Sequence, residues 1–373
     1  MKLCSRNPIL ALLFFILVSC GGSDSLDPVP TPLPSNLQVT VDYIGDGIVK
    51  VDFTATNAVF FKVNFGDPGS LLAKVDGNSA THQYKDKGEF TIVVQAHSEE
   101  EKFVVDTEKV IMNNENLGLD PNTGFTTPDS YPGYELVWRD EFDSPTISDD
   151  WTFEIGDGCP DLCGWGNDEL EYYKAENTSI KDGFLVITAK RESAGSRQYT
   201  SSRLITKGKQ SFTYGRIDIR AVMPKGQGMW PALWMLGENI DEVGWPRCGE
   251  IDIMEMVGGT QDNNDGTVHG TVHWDNAGSY ANYGGSTELE YGTLADEPHV
   301  YSIIWDAQKI VWLLDDVEYH VIDITPAGLE EFHKPHFFIM NVAVGGRWPG
   351  NPSPNTLFPQ DMRVDYIRVF QKP

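Results

Sequence analysis

The chain has 373 residues, 40% of them hydrophobic and 22% charged, which is enough length and apolar content for more than one folded domain and too much for a disordered chain. Gly 36, Pro 22 and an aromatic share of 11% favour turn-rich β structure over helical bundles. A formal charge of −27 repels phosphate backbones and anionic headgroups, so nucleic acid and electrostatic membrane attachment are excluded as partners, and a neutral or cationic partner fits.

In chain order, Lys2 and Arg6 precede an apolar run from Ile9 to Val18. The run is too short for a span of about 20 residues and suits the core of a secretory leader. It ends in Leu17-Val18-Ser19-Cys20, which resembles a bacterial lipobox and implies cleavage after residue 19 with acylation of Cys20. Residues 20 to 35, rich in Gly, Ser, Asp and Pro, read as a flexible tether. Acidic residues close behind the cysteine resemble the surface-export pattern of Bacteroidetes lipoproteins. An outer-membrane lipoprotein facing outward is therefore expected, a monomer touching the membrane only through its anchor.

From residue 36 to 112 apolar residues alternate: Val39, Val41 and Tyr43, a Gly45-Asp46-Gly47 turn, then Val49, Val51 and Phe53, with further runs at 60 to 65 and 90 to 96. Period two with turn punctuation predicts a small β-sandwich. Val63-Asn64-Phe65-Gly66-Asp67 and the stretch from His82 to Phe90 resemble the polycystic-kidney-disease-type repeat, which implies an immunoglobulin-like fold serving as spacer or carbohydrate binder. Residues 113 to 130, rich in Asn, Gly, Thr and Pro, read as a linker. From 131 to 373 strands dominate. They are predicted over 180 to 190 around Lys181-Asp182-Gly183, over 214 to 222, as two strands between 300 and 322, and over 364 to 371; only 327 to 333 invites a helical turn. Many antiparallel strands without a βαβ rhythm predict two stacked sheets, an all-β jelly roll with a concave cleft.

Glu250-Ile251-Asp252-Ile253-Met254-Glu255 carries the most chemistry. On a strand Glu250 and Asp252 share a face while Ile251 and Ile253 pack behind it. Strict alternation would send Glu255 into the apolar layer, where a lone carboxylate is costly. One residue must therefore be absorbed by a β-bulge, returning Glu255 to the acidic face. Close-spaced carboxylates also suit a calcium site or an acidic edge strand; buried isoleucines alternating with the acids weigh against the edge strand, and no carbonyl-rich loop nearby adds what calcium prefers. Three acids on one face suit a bond whose cleavage needs a nucleophile and a proton donor.

This E-x-D-x-x-E spacing resembles glycoside hydrolase family 16, and its sequence is similar to the β-1,3-glucanase (laminarinase) branch, over residues 131 to 373. The resemblance implies Glu250 as nucleophile, Glu255 as general acid then base, and Asp252 as an assisting residue. It also implies retention of anomeric configuration on a neutral β-glucan. A neutral sugar polymer needs aromatic platforms and polar groups around the acids. By the same resemblance Trp230 and Trp234, four apart on one strand face, line the cleft. Trp165 and Asn167 lie in the loop closing its negative side, Arg203 and His273 contact sugar or the acids, and Asn341 and Trp348 form the rim. Core packing is the competing account for Trp234 and Trp348.

Relatives carry a structural calcium away from the cleft, at positions corresponding to Glu141, the carbonyl of Gly183 and Asp365; catalysis needs no cofactor. Cys159 and Cys163 could close a short disulfide in an oxidising envelope, and Cys248 reads as a buried small hydrophobe. The expected activity is endo-hydrolysis of laminarin-like β-1,3-glucan at the cell surface. Mixed-linkage β-1,3-1,4-glucan and a non-catalytic glucan-binding role are the alternatives. Sulfated galactans suit so acidic a chain poorly.

Overall fold

The computed structural model describes residues 31–120, 122–259 and 261–373. The leader and Cys20 lie outside them. Two stacks of sheets form, each around its own apolar core.

In the first stack the alternation acts as the sequence reading requires. Ser35–Gly45 pairs with Ile48–Thr56 across the Gly45-Asp46-Gly47 turn, and Ser79–Gln83 completes a three-stranded sheet. The facing sheet runs in the order Ala73–Val75, Phe60–Asn64, Gly88–Glu99, Lys102–Met112. Val49, Val51, Phe53, Phe61, Ile92 and Val94 meet between the sheets and lose nearly all contact with water.

The second stack holds two eight-stranded sheets. One runs Ser279–Glu288, Thr267–Asn276, Glu250–Glu255, Met229–Gly237, His336–Val344, Arg203–Ile205, Thr152–Phe153, with Ser211–Phe212 also on His336–Val344. The other runs Thr178–Lys181, Phe184–Ala189, Gln360–Gln371, Gly215–Val222, His299–Trp305, Lys309–Leu314, Val317–Asp323, with Glu135–Asp140 also on Gln360–Gln371. All of these pairings are antiparallel, as a jelly roll requires. Side chains from the two inner faces, among them Leu233, Ile251, Met340, Ile219, Ile303 and Ile367, fill the interlayer.

One expectation is corrected. The segment read as two strands between 300 and 322 holds three, because Asp315 (φ 51°) and Asp316 (φ 63°) turn the chain in two left-handed residues between paired Leu314 and Val317. That is the backbone of a tight hairpin, made without the Asn-Gly or Gly-Gly that would have signalled it. The segment read as a linker is bound in place. Arg220 donates to the carbonyls of Asn122 (2.8 Å) and Phe125 (2.7 Å), the Thr127 amide donates to the Tyr366 hydroxyl (2.9 Å), and Arg368 donates to the Thr127 carbonyl (3.2 Å). The helical turn forms as Glu330–His333, and further turns at Cys163–Gly166, Ala175–Asn177, Ile240–Val243 and Gln261–Gly266 were not expected.

Candidate active site

Glu250–Glu255 carries the bulge in its register. Against Met229–Gly237, Glu250, Ile251 and Asp252 face Leu236, Met235 and Trp234, whereas Met254 and Glu255 face Leu233 and Ala232. Ile253 is the extra residue. On the other side Asp252 faces Thr271 and Glu255 faces His269, three residues against two. Ile251 and Ile253 are buried in the interlayer while Glu250 and Glu255 remain half-buried at the sheet surface. Trp312 of the facing sheet donates to the Asp252 carbonyl at 2.8 Å. Its approach requires Gly270, since a Cβ there would sit 2.4 Å from the Trp312 ring.

The acids open into a cleft of about 810 Å³. Trp165, Asn167, Arg203, Trp230, Trp234, His273, Asn341 and Trp348, expected from the sequence to surround the substrate, all border this one cleft. Trp230 and Trp234 share a face because Met229–Gly237 pairs with His336–Val344 without a break in register. The Trp230 indole N–H donates to Glu255 Oε1 at 3.0 Å, and the Trp348 ring meets Trp230 edge-on. Trp234 donates to Asn341 Oδ1 at 2.8 Å. The Arg203 guanidinium lies over both the Trp165 ring (4.6 Å) and the Trp234 ring (4.9 Å), and its Nε bonds Glu154. A Cys159–Cys163 disulfide closes the base of the loop carrying Trp165 and Asn167, and Cys248 is free and buried. His269, the cross-strand partner of Glu255, packs against the Trp348 ring.

Sequence reasoning missed Trp245, Tyr280 and Asn282. Trp245 donates to Glu250 Oε2 at 2.7 Å, and its ring packs against Tyr280, whose hydroxyl meets His273 Nδ1 at 2.8 Å. His273 Nε2 lies 3.0 Å from Asp252 Oδ2 and 3.9 Å from Glu250 Oε1. The one available signal was a tryptophan between Gly244 and Pro246 just ahead of the acidic strand; Tyr280 arrives through a hairpin and left none.

Burial sets the protonation of the acids. It pushes Glu250 up to about 8, helped by the Asp252 charge, while His273 and the Trp245 N–H pull the other way. Glu250 keeps 17% of its side-chain surface on the cleft side, where water offsets part of the burial cost. Asp252 is pushed up by burial. Glu255 is pushed well up by burial and by the charges of Asp252 and Glu250, against the Trp230 N–H. Three carboxyls this close hold fewer than three charges near neutrality. The arrangement thus sets a carboxyl whose anion the Trp245 N–H and the nearby His273 favour beside one that burial and like charge hold as the acid.

The positions expected to hold calcium meet at a junction away from the cleft. One edge of Gln360–Gln371 pairs with Phe184–Ala189 up to Val364 and with Glu135–Asp140 from Ile367. Asp365 is left in the gap beside the Gly183 turn and Glu141. Arg368 takes both oxygens of Glu141 (2.7 and 2.8 Å), so that side chain is not free for a cation. Arg220 takes Asp365 Oδ2. Of the expected ligand side chains, what remains uncommitted is the other Asp365 oxygen. Among the described residues, Glu250, Asp252 and His273 are also close enough to share an ion.

Comparison with known proteins agrees with the geometry. Residues 166–368 match the family described as glycosyl hydrolases family 16. A β-glucanase of Rhodothermus marinus is 39% identical over 66% of this chain and 89% of its own. The clotting factor G alpha subunit of Tachypleus tridentatus is 40% identical over 64% of this chain, which spans about a third (34%) of that subunit. Among solved structures, the catalytic domain of an endo-1,3-β-glucanase (laminarinase) from Thermotoga petrophila is 47% identical, covers 64% of this chain and 98% of its own, and superposes with a TM-score of 0.60.

Proposed function

Because this chain belongs to glycosyl hydrolase family 16, we propose that it is an endo-acting β-1,3-glucanase that cleaves laminarin-like glucan with retention of configuration. Glu250, held as an anion by the Trp245 N–H and by His273, attacks the anomeric carbon while Glu255 gives its proton to the departing glycosidic oxygen. The glycosyl ester formed on Glu250 removes that negative charge. Glu255, now the anion, takes a proton from water, which attacks the same carbon and releases Glu250. His273 and Asp252 adjust the charge of the nucleophile, and Trp230 stands beside the acid where a sugar face can rest.

The bulge at Ile253 carries this reading, because it returns Glu255 to the face of Glu250. Indole donors on each glutamate and the aromatic lining support a neutral sugar polymer as substrate. The deciding experiment incubates the full chain with laminarin, lichenan, agarose and carrageenan and counts new reducing ends. New ends from laminarin with the β-anomer released first are expected. A chain that cuts lichenan better is a mixed-linkage enzyme, and one that binds glucan without cutting is a binding protein. The proposal extends to acylation at Cys20 and display on the outer membrane, with the first stack of sheets as spacer. Loss of membrane association in a Cys20→Ala variant is the outcome expected of it. A calcium held at the Gly183–Asp365 junction would be structural, since the junction lies outside the cleft.

A further inference from the structure

Beneath the loop that carries Trp165 and Asn167, the chain buries two carboxyls side by side. Alternation along 169 to 173 turns Glu169, Glu171 and Tyr173 inward while Leu170 and Tyr172 are half-buried. Glu169 is 4% exposed, and Glu171 and Tyr173 are fully buried. Among the described residues neither carboxyl has an ion-pair partner. The nearby guanidiniums are committed elsewhere: Arg203 to Glu154, and Arg197 to Asp157 and the Glu169 backbone carbonyl (2.8 Å). Two adjacent buried carboxylates without a counter-ion cannot both be charged.

The hydrogen bonds show which one keeps the charge. Glu169 accepts from Asn167 Nδ2 at Oε1 and from the Tyr173 hydroxyl at Oε2, both at 3.1 Å. Glu171 Oε2 accepts only the Val344 amide (2.6 Å), and its Oε1 has no other donor. A proton on Glu171 Oε1 facing Glu169 satisfies both groups, and burial with the neighbouring charge favours that proton. The consequence runs into the cleft. Because Tyr173 donates to Glu169, its oxygen can only accept, so Asn341 must present its amide N–H (3.0 Å). The Asn341 carbonyl oxygen faces the Trp234 N–H (2.8 Å), a donor-only group that demands the same orientation. Asn167, giving an N–H to Glu169, keeps its carbonyl oxygen for a sugar hydroxyl.

We propose that Glu169 and Glu171 share one proton and are positioning residues for the glucan: the charge on Glu169 fixes the direction of the Asn167 and Tyr173 hydrogen bonds, and through Tyr173 it acts together with the donor-only Trp234 N–H to orient Asn341. This rests on the cleft being the glucan site.

The test compares wild type with Glu169→Gln, Glu171→Gln and Glu171→Leu. Glutamine at 171 still donates to Glu169 and accepts from Val344, so KM and kcat within about twofold of wild type are expected. Glutamine at 169 cannot accept from both Asn167 and Tyr173. KM should rise about tenfold, as for a lost hydrogen bond to a charged group, with kcat nearly unchanged. Should Glu169→Gln fail to fold, the 171 pair carries the arm: leucine raises KM and glutamine restores it, a rescue that simple volume filling does not produce.

The second readout is Tm against pH. The folded state retains a proton that the unfolded chain loses above a carboxyl's usual range, so wild-type stability falls as pH rises past it. Tm of Glu171→Gln should fall less steeply, the gap widening from pH 5 to 9. A wild-type KM in folded Glu169→Gln, or equal effects of glutamine and leucine at 171, would overturn the positioning role. Parallel Tm curves would overturn the shared proton. If wild type neither cuts nor binds any β-glucan, the glucan reading and the positioning role fail, while the Tm comparison still decides the proton.

Discussion

Two tryptophans govern the pair of glutamates from opposite ends, and the same substitution should move different limbs of the pH profile. Trp245 and Trp230 each donate to a carboxylate oxygen and so favour its anion; phenylalanine at either position removes the donor and keeps a ring. A hydrogen bond to a charged group is worth about 1.5 to 3 kcal/mol and one pKa unit about 1.4 kcal/mol, so each carboxyl should rise by roughly a unit. As the proposed nucleophile, Glu250 must be ionised to attack. In Trp245→Phe the acidic limb of kcat/KM therefore moves to higher pH and activity is lost at low pH. As the proposed acid, Glu255 must be protonated, so in Trp230→Phe the basic limb moves up and activity persists to higher pH. A limb moving down in either variant contradicts the role given to its glutamate. Glu250→Ala should lower kcat by orders of magnitude with glucan binding retained, measured by calorimetry on a substrate it can no longer cut. At this scale the acids were legible in the sequence, because a side chain's face follows from its place along a strand. Trp245 and Tyr280 were not, because loops and hairpins bring them to Glu250 and His273.

The acidic strand is an element with one residue too many for its neighbours. Ile253 absorbs the excess, and its buried side chain (1% exposed) anchors the bulge in the interlayer. Deleting Ile253 restores simple alternation with Glu250, Asp252 and Glu255 on one face, so measurable hydrolysis should remain. The lost side chain should lower stability by about 2 to 5 kcal/mol, as for removal of a buried isoleucine, read as a fall in the denaturant midpoint. Activity as low as that of Glu250→Ala would show that the bulge itself aims Glu255. The need for a bulge was readable, since the alternative buries a lone carboxylate. The missed third strand after residue 314 shows the limit of such reading. A two-residue left-handed turn was made by Asp315 and Asp316, whose side chains tolerate that backbone without demanding it.

Across the molecule, the segment 113–130 ties the two stacks together. Lys87 pairs with Glu297 and Asn114 donates to the same carboxylate (3.1 Å), while Arg220 and Arg368 grip the segment's carbonyls. The same arginines hold Asp365 and Glu141 beside the Gly183 turn. If calcium binds at that junction, EDTA should lower Tm by several degrees while leaving initial rates at moderate temperature unchanged, and added calcium should reverse it; an unchanged Tm removes the ion from the account. Composition suggested a linker here because Asn, Gly, Thr and Pro form no regular element, and its irregular backbone is satisfied by side chains of a neighbouring sheet. By itself the sequence determined the all-β class, the acidic strand with its bulge, and the aromatic residues available to a sugar. The first two follow from local backbone geometry and from the cost of burying charge, and the third from the resemblance to family 16. Only the tertiary structure decided which donors reach each glutamate, which carboxyls share a proton and which carboxylates arginines hold, because those partners lie far apart along the chain and meet only when the sheets stack.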